Sequence, residues 1–369
     1  MSYRCFKKIF SLILVVLMLI GGIPALAAND IKMVTNDNDI VNAIEQVIES
    51  IYFEKEYYGF GESNLSELSI GTEIPNYEVI NSNLVEINDI SYYPILDKSG
   101  EIVSVAAIAY DGDYPKAYLS CDLVPALKES QTGQGIALVY DRQGAYCWNG
   151  EKATLIESNN MPGGVAYRSD IANVSDATLQ NTVTRCVVGS ASLNIEIPDV
   201  EPQGYGDNAA YVSVPVKRQP SGSSWCWAAS MASVVQHETG ISHTCTQMAN
   251  LYGASNSTTA SISTIQSRLR NDFGLLYNYQ GTRKLTNILN SLGSGHASIG
   301  AFFYSGGGHA AVIRGIDFDS KVFSIMDPQG TGSNYTTGQI VNSSGNYGDL
   351  TYIHSATGIR LTVSGYIYM

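Results

Sequence analysis

The residues best suited to chemistry in this chain are a cysteine, a histidine and an aspartate in its second half: Cys226, His309 and Asp327. Cys226 stands between two tryptophans, after a small polar loop and before apolar residues that recur at helical spacing until Gly240. This pattern predicts that Cys226 lies in the first turn of a helix, with Ser224 as the N-cap residue. Unpaired backbone N–H groups and the positive end of the helix dipole would favour a thiolate there.

Gln219 lies upstream on the predicted loop, from where its side-chain N–H can swing towards the cysteine. Together with the backbone N–H of Cys226 it would form an oxyanion hole, a pair of donors for a negatively charged oxygen. The structural alternative is a small buried cysteine at an ordinary helix start, because free cysteines are among the most buried residues.

His309 and Asp327 belong to two predicted strands that flank a turn at residues 318–321. If the two arms are taken as equal in length, His309 at the start of one lies opposite Asp327 at the end of the other, with Cβ atoms roughly 5 Å apart. A neighbouring carboxylate orients a histidine that acts as a general base. Glycines at 306–308 leave the approach to this histidine free of side chains. The structural alternative is that His309 is an isolated histidine without a catalytic role and that Asp327-Pro328 opens an ordinary turn.

The other histidines lack a comparable neighbourhood, and we predict that they are surface or core residues: His237, His243, His296 and His354.

The first 27 residues have the features of a secretory signal peptide. Basic residues precede an apolar run at 9–20, and Ala25-Leu26-Ala27 has the form of a cleavage site. We therefore expect a secreted, extracellular protein without an integral membrane segment after removal of the signal.

Charge divides the rest of the chain into two parts. Residues 28–204 contain 27 acidic and nine basic residues, whereas residues 205–369 contain seven acidic and nine basic residues. A linker composition rich in Pro, Gly and Asp near 196–208 marks the boundary. Because no basic face large enough to cover phosphates is evident, nucleic acid is not expected as a partner.

Periodicity predicts an α+β chain. In the front part a helix bears Ile44 and Ile48 on its apolar face, a hairpin joins 92–96 to 102–108, and no histidine or catalytic cluster occurs. In the second part helices come first and strands later, so that a helical half and a sheet half would face each other across a cleft. The predicted helices are the Cys226 helix, 244–252, 263–273 and 282–292, and the predicted strands are 299–304, 309–315, 322–327 and 358–363.

Five cysteines remain after the signal peptide, an odd number, so at least one thiol stays free. A bridge between Cys147 and Cys186, or between Cys121 and either of them, stays open. No Cys/His spacing is typical of zinc, and neither a metal nor a cofactor is expected.

The order Gln219, Cys226-Trp227, Gly308-His309-Ala310 and Asp327-Pro328 resembles papain-like cysteine peptidases. The resemblance covers about residues 210–330 and is to secreted bacterial forms, such as bacteriocin-processing peptidases and staphopains. It implies a two-lobed catalytic domain, with a helical lobe followed by an antiparallel β lobe, at residues 205–369. It also implies that residues 28–204 form an α+β pro-domain.

The resemblance implies a role for each site residue. Cys226 is the nucleophile, His309 the general base and then acid, Asp327 the residue that orients His309, and Gln219 the oxyanion donor. Papain has asparagine where Asp327 stands, and Gln219 lies seven residues before Cys226, one more than in papain.

These features together predict a secreted cysteine protease with a polypeptide substrate, made as a zymogen. The acidic front domain would be an intramolecular inhibitor that covers the cleft until proteolysis near 196–212. One alternative is a peptidoglycan-cleaving Cys/His amidase or endopeptidase, and another is an exported binding protein without catalytic activity.

Overall fold

The computed structural model describes residues 37–130, 135–159, 168–196, 208–281, 283–304, 307–330 and 334–369. The chain divides into two compact units, Met1–Asp39 and Ile40–Met369. The predicted signal peptide and most of the predicted linker lie outside the described residues, and the predicted domain boundaries stay predictions. In the described part of the chain, no helix has the length and apolar character needed to cross a membrane.

The α-helices of the described residues are α1 (Asp37–Ser50), α2 (Val124–Ser130), α3 (Asp176–Gln180), α4 (Cys226–Thr239), α5 (Cys245–Asn250), α6 (Ile262–Phe273) and α7 (Thr286–Gly293). Short 3₁₀ helices cover Tyr52–Tyr58, Leu65–Glu67 and Ile171–Asn173.

The strands of the front part are β1 (Ser69–Gly71), β2 (Asn76–Ile80), β3 (Asn83–Glu86), β4 (Ile90–Leu96), β5 (Ile102–Asp111), β6 (Tyr114–Ser120), β7 (Ala137–Tyr140), β8 (Gly144–Trp148), β9 (Ala153–Ser158) and β10 (Gly189–Ser192). Those of the second part are β11 (Ala209–Tyr211), β12 (Asn278–Gly281), β13 (Arg283–Lys284), β14 (Ser298–Tyr304), β15 (Gly307–Asp317), β16 (Val322–Met326), β17 (Thr336–Ser344), β18 (Tyr347–His354) and β19 (Ile359–Tyr368).

The front strands form two five-stranded sheets, in the orders β10-β1-β4-β5-β6 and β3-β2-β7-β8-β9. The predicted hairpin is confirmed as the antiparallel pair β4–β5. The strands of the second part form a nine-stranded sheet. Strands β14 to β19 pair in succession, and β19 pairs in addition with β14. These six strands therefore close into a ring. The chain is thus mixed α and β, as the periodicity predicts.

Helix α4 carries the cysteine and is a central helix. Every residue from Cys226 to Val235 is buried, and such a helix needs small side chains on the faces that lie close to neighbouring backbone. The Ser230 hydroxyl donates a hydrogen bond to the Ala310 carbonyl oxygen at 3.1 Å, which ties α4 to β15. The helix thereby fixes the cysteine beside the strand that carries His309.

The ends of the predicted helices need three corrections. The N-cap of α4 is Trp225, without a side-chain hydrogen bond, so Ser224 as the cap is wrong; Gly240 ends the helix as predicted, with φ 74°. Helix α7 starts at Thr286 rather than 282, because residues 283–284 form β13 against β18. Gly293 lies inside α7 instead of following it, and Ser294 is the C-cap.

The β15–β16 hairpin turns at 318–321 as predicted, but its register differs. Ile313 pairs with Ile325 and Gly315 with Ser324, so Arg314 is an extra residue on β15. This bulge shifts the register by one, and the ladder ends at the Val312–Met326 pair. Beyond that last pair, His309 lies three residues further along β15, whereas Asp327 directly follows Met326. The prediction that His309 lies directly opposite Asp327 in the ladder is therefore wrong, although the two side chains still meet.

The front part packs against the ring of strands through polar contacts as well as apolar ones. The buried Arg314 guanidinium donates hydrogen bonds to both carboxylate oxygens of Glu54. The Leu119 N–H donates to the Thr337 hydroxyl at 2.7 Å, which joins the end of β6 to β17. Apolar clusters also run across both parts, so residues 40–369 share continuous cores.

Candidate active site

Cys226 is the first residue of α4, which confirms its predicted place in the first helical turn. The residue is also buried. The flanking tryptophans hold this end of the helix. The Trp225 indole N–H donates to the Ser255 carbonyl oxygen at 2.7 Å, and that of Trp227 donates to the Thr258 carbonyl oxygen at 2.9 Å. These two hydrogen bonds thus fix the backbone on both sides of the cysteine. In the sequence, the two tryptophans are recognisable only as neighbours of the cysteine, and these bonds are not predicted.

His309 and Asp327 form a direct, buried hydrogen bond. The Nε2–H of His309 donates to Oδ1 of Asp327 at 2.7 Å. The backbone N–H of Gln329 donates to the same carboxylate oxygen at 2.9 Å. Burial alone would raise the pKa of Asp327. The neighbouring His309 and these hydrogen bonds have the larger effect, so the pKa lies well below its usual range. Asp327 therefore stays ionised and holds the imidazole ring in one orientation.

The cysteine and the histidine stabilise each other in charged form. Burial raises the pKa of the Cys226 thiol, but the attraction of His309 and the backbone N–H groups of Ala310 and Trp227 outweigh it, so the pKa lies below its ordinary value. Burial lowers the pKa of His309, whereas Asp327 and Cys226 raise it to about 10. The pair therefore favours a thiolate beside an imidazolium, the state in which a cysteine is nucleophilic.

Gln219 is buried on the loop before α4, as predicted from the sequence. Its side-chain amide donates to the Ser223 carbonyl oxygen at 3.0 Å, and its backbone N–H donates to the Pro328 carbonyl oxygen at 2.9 Å. A primary amide has two N–H bonds, so one remains for a substrate oxygen. The backbone contact also fixes the loop beside the turn that follows Asp327.

His354 is a neighbour of this site that the sequence did not single out. Its Nε2 lies 4.0 Å from Oδ2 of Asp327, and its ring centroid lies 5.3 Å from that of His309. Burial and the nearby His309 lower its pKa to about 4, although Asp327 opposes the shift. His354 is therefore neutral near pH 7. His354 is fully buried, which agrees with its prediction as a surface or core residue. Its place beside the site was not predicted, because β18 reaches the site only through its pairing with β19.

The remaining predicted histidines lie elsewhere. His237 contacts the Gly295 carbonyl oxygen at 2.8 Å, His296 contacts Glu238 at 2.7 Å, and His243 packs edge-on against Phe273.

The other cysteines of the described residues lie outside the candidate site. None of the disulfides left open by the sequence is formed among the five cysteines of the described residues. Cys245 starts α5 and is buried, and the N-cap before it is Thr244 in a capping box with Gln247.

The donor atoms of His309, Asp327 and His354 lie within 4.8 Å of one another, which is close enough for a metal ion. The strong hydrogen bond between His309 and Asp327 already accounts for this proximity. Cofactor-free chemistry therefore stays our prediction for the site.

An open cleft of about 550 Å³ leads to Cys226 and His309. Trp227, Ile262 and Ile265 line its helical side, and Phe303 is among the residues on its sheet side. All of its lining residues lie between 226 and 365. Such a mostly apolar groove with a reactive pair at its edge suits an extended chain.

Gly307 and Gly308 belong to the lining of this cleft, so the predicted side-chain-free approach to His309 is confirmed for these two positions. Position 306 lies outside the described residues.

Comparison with known proteins agrees with this geometry. A model described as Peptidase_C39 like family matches residues 211–353, the segment that contains Cys226, His309 and Asp327. No curated protein matches the chain. The family match supports a mixed α and β peptidase with a papain-like fold and a polypeptide substrate. Residues 211–353 are thus similar to the Peptidase_C39 like family, and this similarity supports a cysteine peptidase of the papain-like clan.

Proposed function

We propose that the protein is a secreted cysteine protease that cleaves peptide bonds through Cys226, His309 and Asp327, with Gln219 as oxyanion donor. One observation carries the proposal. The Nε2 atom of His309 is held by Asp327 at 2.7 Å, while Nδ1 is buried and has no hydrogen-bond partner among the described residues. A buried polar nitrogen without a partner is costly unless a function uses it. The neighbouring Cys226 thiol supplies that use.

The proposed reaction follows from these positions. The Cys226 thiolate attacks the carbonyl carbon of the scissile peptide bond, and the carbonyl oxygen becomes negatively charged. The backbone N–H of Cys226 and the side-chain amide of Gln219 stabilise that oxygen. His309 then donates its proton to the leaving amine, and the carbon–nitrogen bond breaks. Water, deprotonated by His309, hydrolyses the resulting thioester and restores the thiolate.

Asp327 sets the pH range of this reaction. The thiolate–imidazolium pair forms as the Cys226 thiol ionises, and it is lost when His309 releases its proton near pH 10. Because Asp327 raises the pKa of His309, Asp327→Asn should move the alkaline limb of kcat/KM to lower pH. It should also lower kcat/KM at the optimum by about 10²–10⁴-fold.

The measurement is kcat/KM on a fluorogenic peptide from pH 4 to pH 11. Asp319→Asn, an exposed carboxylate in the turn between β15 and β16, is the matched control and should leave the profile unchanged. An alkaline limb that stays in place in Asp327→Asn would contradict the assigned role.

A direct test of the function presents the mature protein with three reagents in parallel. These are an epoxide probe for cysteine peptidases, casein as an unstructured protein, and purified peptidoglycan. We expect probe labelling and casein cleavage. Labelling with release of muropeptides and intact casein would instead favour the cell-wall amidase or endopeptidase, whose chemistry also needs a cysteine on a helix and a histidine on a strand. Failure to label would favour the binding protein.

Export and the secreted bacterial branch of the family stay predictions. The signal sequence at 1–27 predicts that the protein is recovered from the culture medium and begins near Ala28. N-terminal sequencing of the exported protein tests this prediction.

The hypothesis of an inhibitory pro-domain makes a separate prediction, that removal of the front part raises activity. The described residues between 40 and 196 contribute no side chain to the cleft beside Cys226. Their contacts therefore do not support the hypothesis of an inhibitory pro-domain.

A further inference from the structure

Two short segments behind the triad determine where Asp327 lies. The first is the turn at 327–330, which Asp327 itself begins. The second is the turn at 354–358, which follows β18 and begins with His354. The Nδ1 atom of His354 is hydrogen-bonded to the Thr357 hydroxyl at 3.0 Å, and its Nε2 faces the Asp327 carboxylate at 4.0 Å. Movement of either segment would move the carboxylate that orients His309.

The front part of the chain contacts both segments through residues that do not line the cleft. The Gln329 amide donates to the Ser158 carbonyl oxygen at 2.6 Å, and the Ser355 hydroxyl donates to Oε2 of Glu157 at 2.6 Å. Glu157 and Ser158 are the last two residues of β9. The end of one strand thus contacts both turns.

A third contact comes from Arg168. Its guanidinium donates to the Thr357 carbonyl oxygen at 2.6 Å and pairs with Glu78 of β2 at 3.1 Å. The Tyr140 ring also lies against Gly358, where an added Cβ would come within 2.8 Å of the ring. Gly358 has φ +61°, so the turn needs glycine both for its backbone conformation and for this close contact.

These contacts are protected from water. Glu157, Arg168 and Gln329 are all at least nine-tenths buried, and Thr357 is fully buried. In such surroundings hydrogen bonds have no solvent competitor and fix geometry strongly. Burial and the nearby Asp122 raise the pKa of Glu157 well above its ordinary value, although its hydrogen bond with Ser355 opposes the shift.

On the basis of the proposed peptidase function, we propose that Glu157, Ser158 and Arg168 form a rear clamp that positions Asp327 and His354. The front part of the chain is then a lasting component of the active enzyme, bound behind the triad, rather than a plug that leaves the cleft. Because the clamp touches no cleft residue, its loss lowers turnover and leaves substrate binding nearly unchanged. A displacement of about 1 Å at a catalytic group costs on the order of 10²-fold in rate.

The first experiment compares two variants of the full chain. Glu157→Ala removes the acceptor for Ser355, and we expect kcat to fall about 10–100-fold while KM changes less than about threefold. Glu157→Gln keeps a neutral acceptor of the same length and should retain nearly all of kcat. Titration of Cys226 with the epoxide probe counts the folded active sites, so that misfolded protein does not contribute to kcat. Arg142→Met, which breaks an exposed pair with Asp170 in the same part, should leave kcat unchanged.

An unchanged kcat in Glu157→Ala, or a loss in Glu157→Gln as large as in Glu157→Ala, would overturn the rear clamp. A wild-type protein that neither labels nor cleaves any substrate would reject the peptidase function itself. The two failures are therefore distinguishable.

The second experiment cuts the chain between the two parts without changing the clamp. A recognition sequence for a specific protease is inserted after Gln203, and the purified protein is cleaved there. We expect the two pieces to co-elute on gel filtration and to keep the activity of the uncut chain. Dissociation of the front piece with unchanged or higher activity would overturn the clamp and favour the removable inhibitor.

Discussion

Cys226→Ala is expected to lower kcat/KM for peptide hydrolysis by about 10⁴–10⁶-fold, because no other group of the site replaces the thiolate as nucleophile. The substitution removes one sulfur atom from a helix in which alanine is already frequent, so the fold should persist. Kinetics on a fluorogenic peptide, together with circular dichroism, measure both effects. The epoxide probe should label the wild type and fail to label the variant.

Cys186→Ala is the matched control, since Cys186 is an exposed cysteine of the same chain, remote from the cleft. We expect it to keep the activity and the labelling of the wild type. If Cys226→Ala retained more than about one hundredth of the wild-type activity, the nucleophile would have to be another residue.

Glu54→Ala is expected to lower the free energy of unfolding by about 3–5 kcal/mol, since it leaves a buried charge without its partner. Arg314 is fully buried, and its guanidinium donates to both oxygens of Glu54. Its guanidinium also donates to the Val212 carbonyl oxygen at 2.7 Å and the Ser324 hydroxyl at 2.9 Å, and it lies 4.2 Å from the centre of the Tyr335 ring. These neutral groups stabilise the cation less than a carboxylate does.

Urea denaturation of the full chain measures the loss. Glu67→Ala is the control, because Glu67 pairs with Lys98 at 3.5 Å on the surface, where an ion pair contributes about 0–1 kcal/mol. A Glu54→Ala variant with the midpoint of the control would show that Arg314 finds a second counter-charge after the change.

The reactive residues could be predicted from the sequence because each one is marked by its local surroundings. The small apolar residues after Cys226 specify a buried helix, and the position of the cysteine in its first turn follows from the polar loop before it. Asp327 was found by counting along a hairpin. The count took the two arms as equal, whereas β15 runs further beyond the ladder than the other strand, yet the side chains meet because the chain leaves the ladder after Met326.

Contacts between distant parts of the chain could not be predicted in this way. Glu54 and Arg314 are 260 positions apart. No periodic pattern in the sequence links a glutamate in a short 3₁₀ helix to an arginine in a strand. His354 was missed for the same reason, since only the pairing of β18 with β19 returns it to the triad. Pairing between strands depends on the whole sheet, whereas helix starts and turns depend on a few neighbouring residues.

Charge predicts a boundary between two parts of the chain but does not predict which residues of the two parts contact each other. The excess of acid in residues 28–204 suggested a partner for the cleft. In the structure, groups that contact the second part, such as Glu157 and Arg168, are buried and do not line the cleft. Net charge reports on long-range attraction, while the place of docking depends on shape and on individual hydrogen bonds.

The bulge at Arg314 gives this side chain a place outside the pairing of the hairpin. Because Ile313 pairs with Ile325 and Gly315 with Ser324, Arg314 lies opposite no residue of β16. Deletion of Arg314 would join Ile313 to Gly315 in an unbroken ladder, in which His309 and Ile316 keep the faces that they have now. The extra residue therefore gives the strand a buried arginine for Glu54 without reversing the side chains on either side of it.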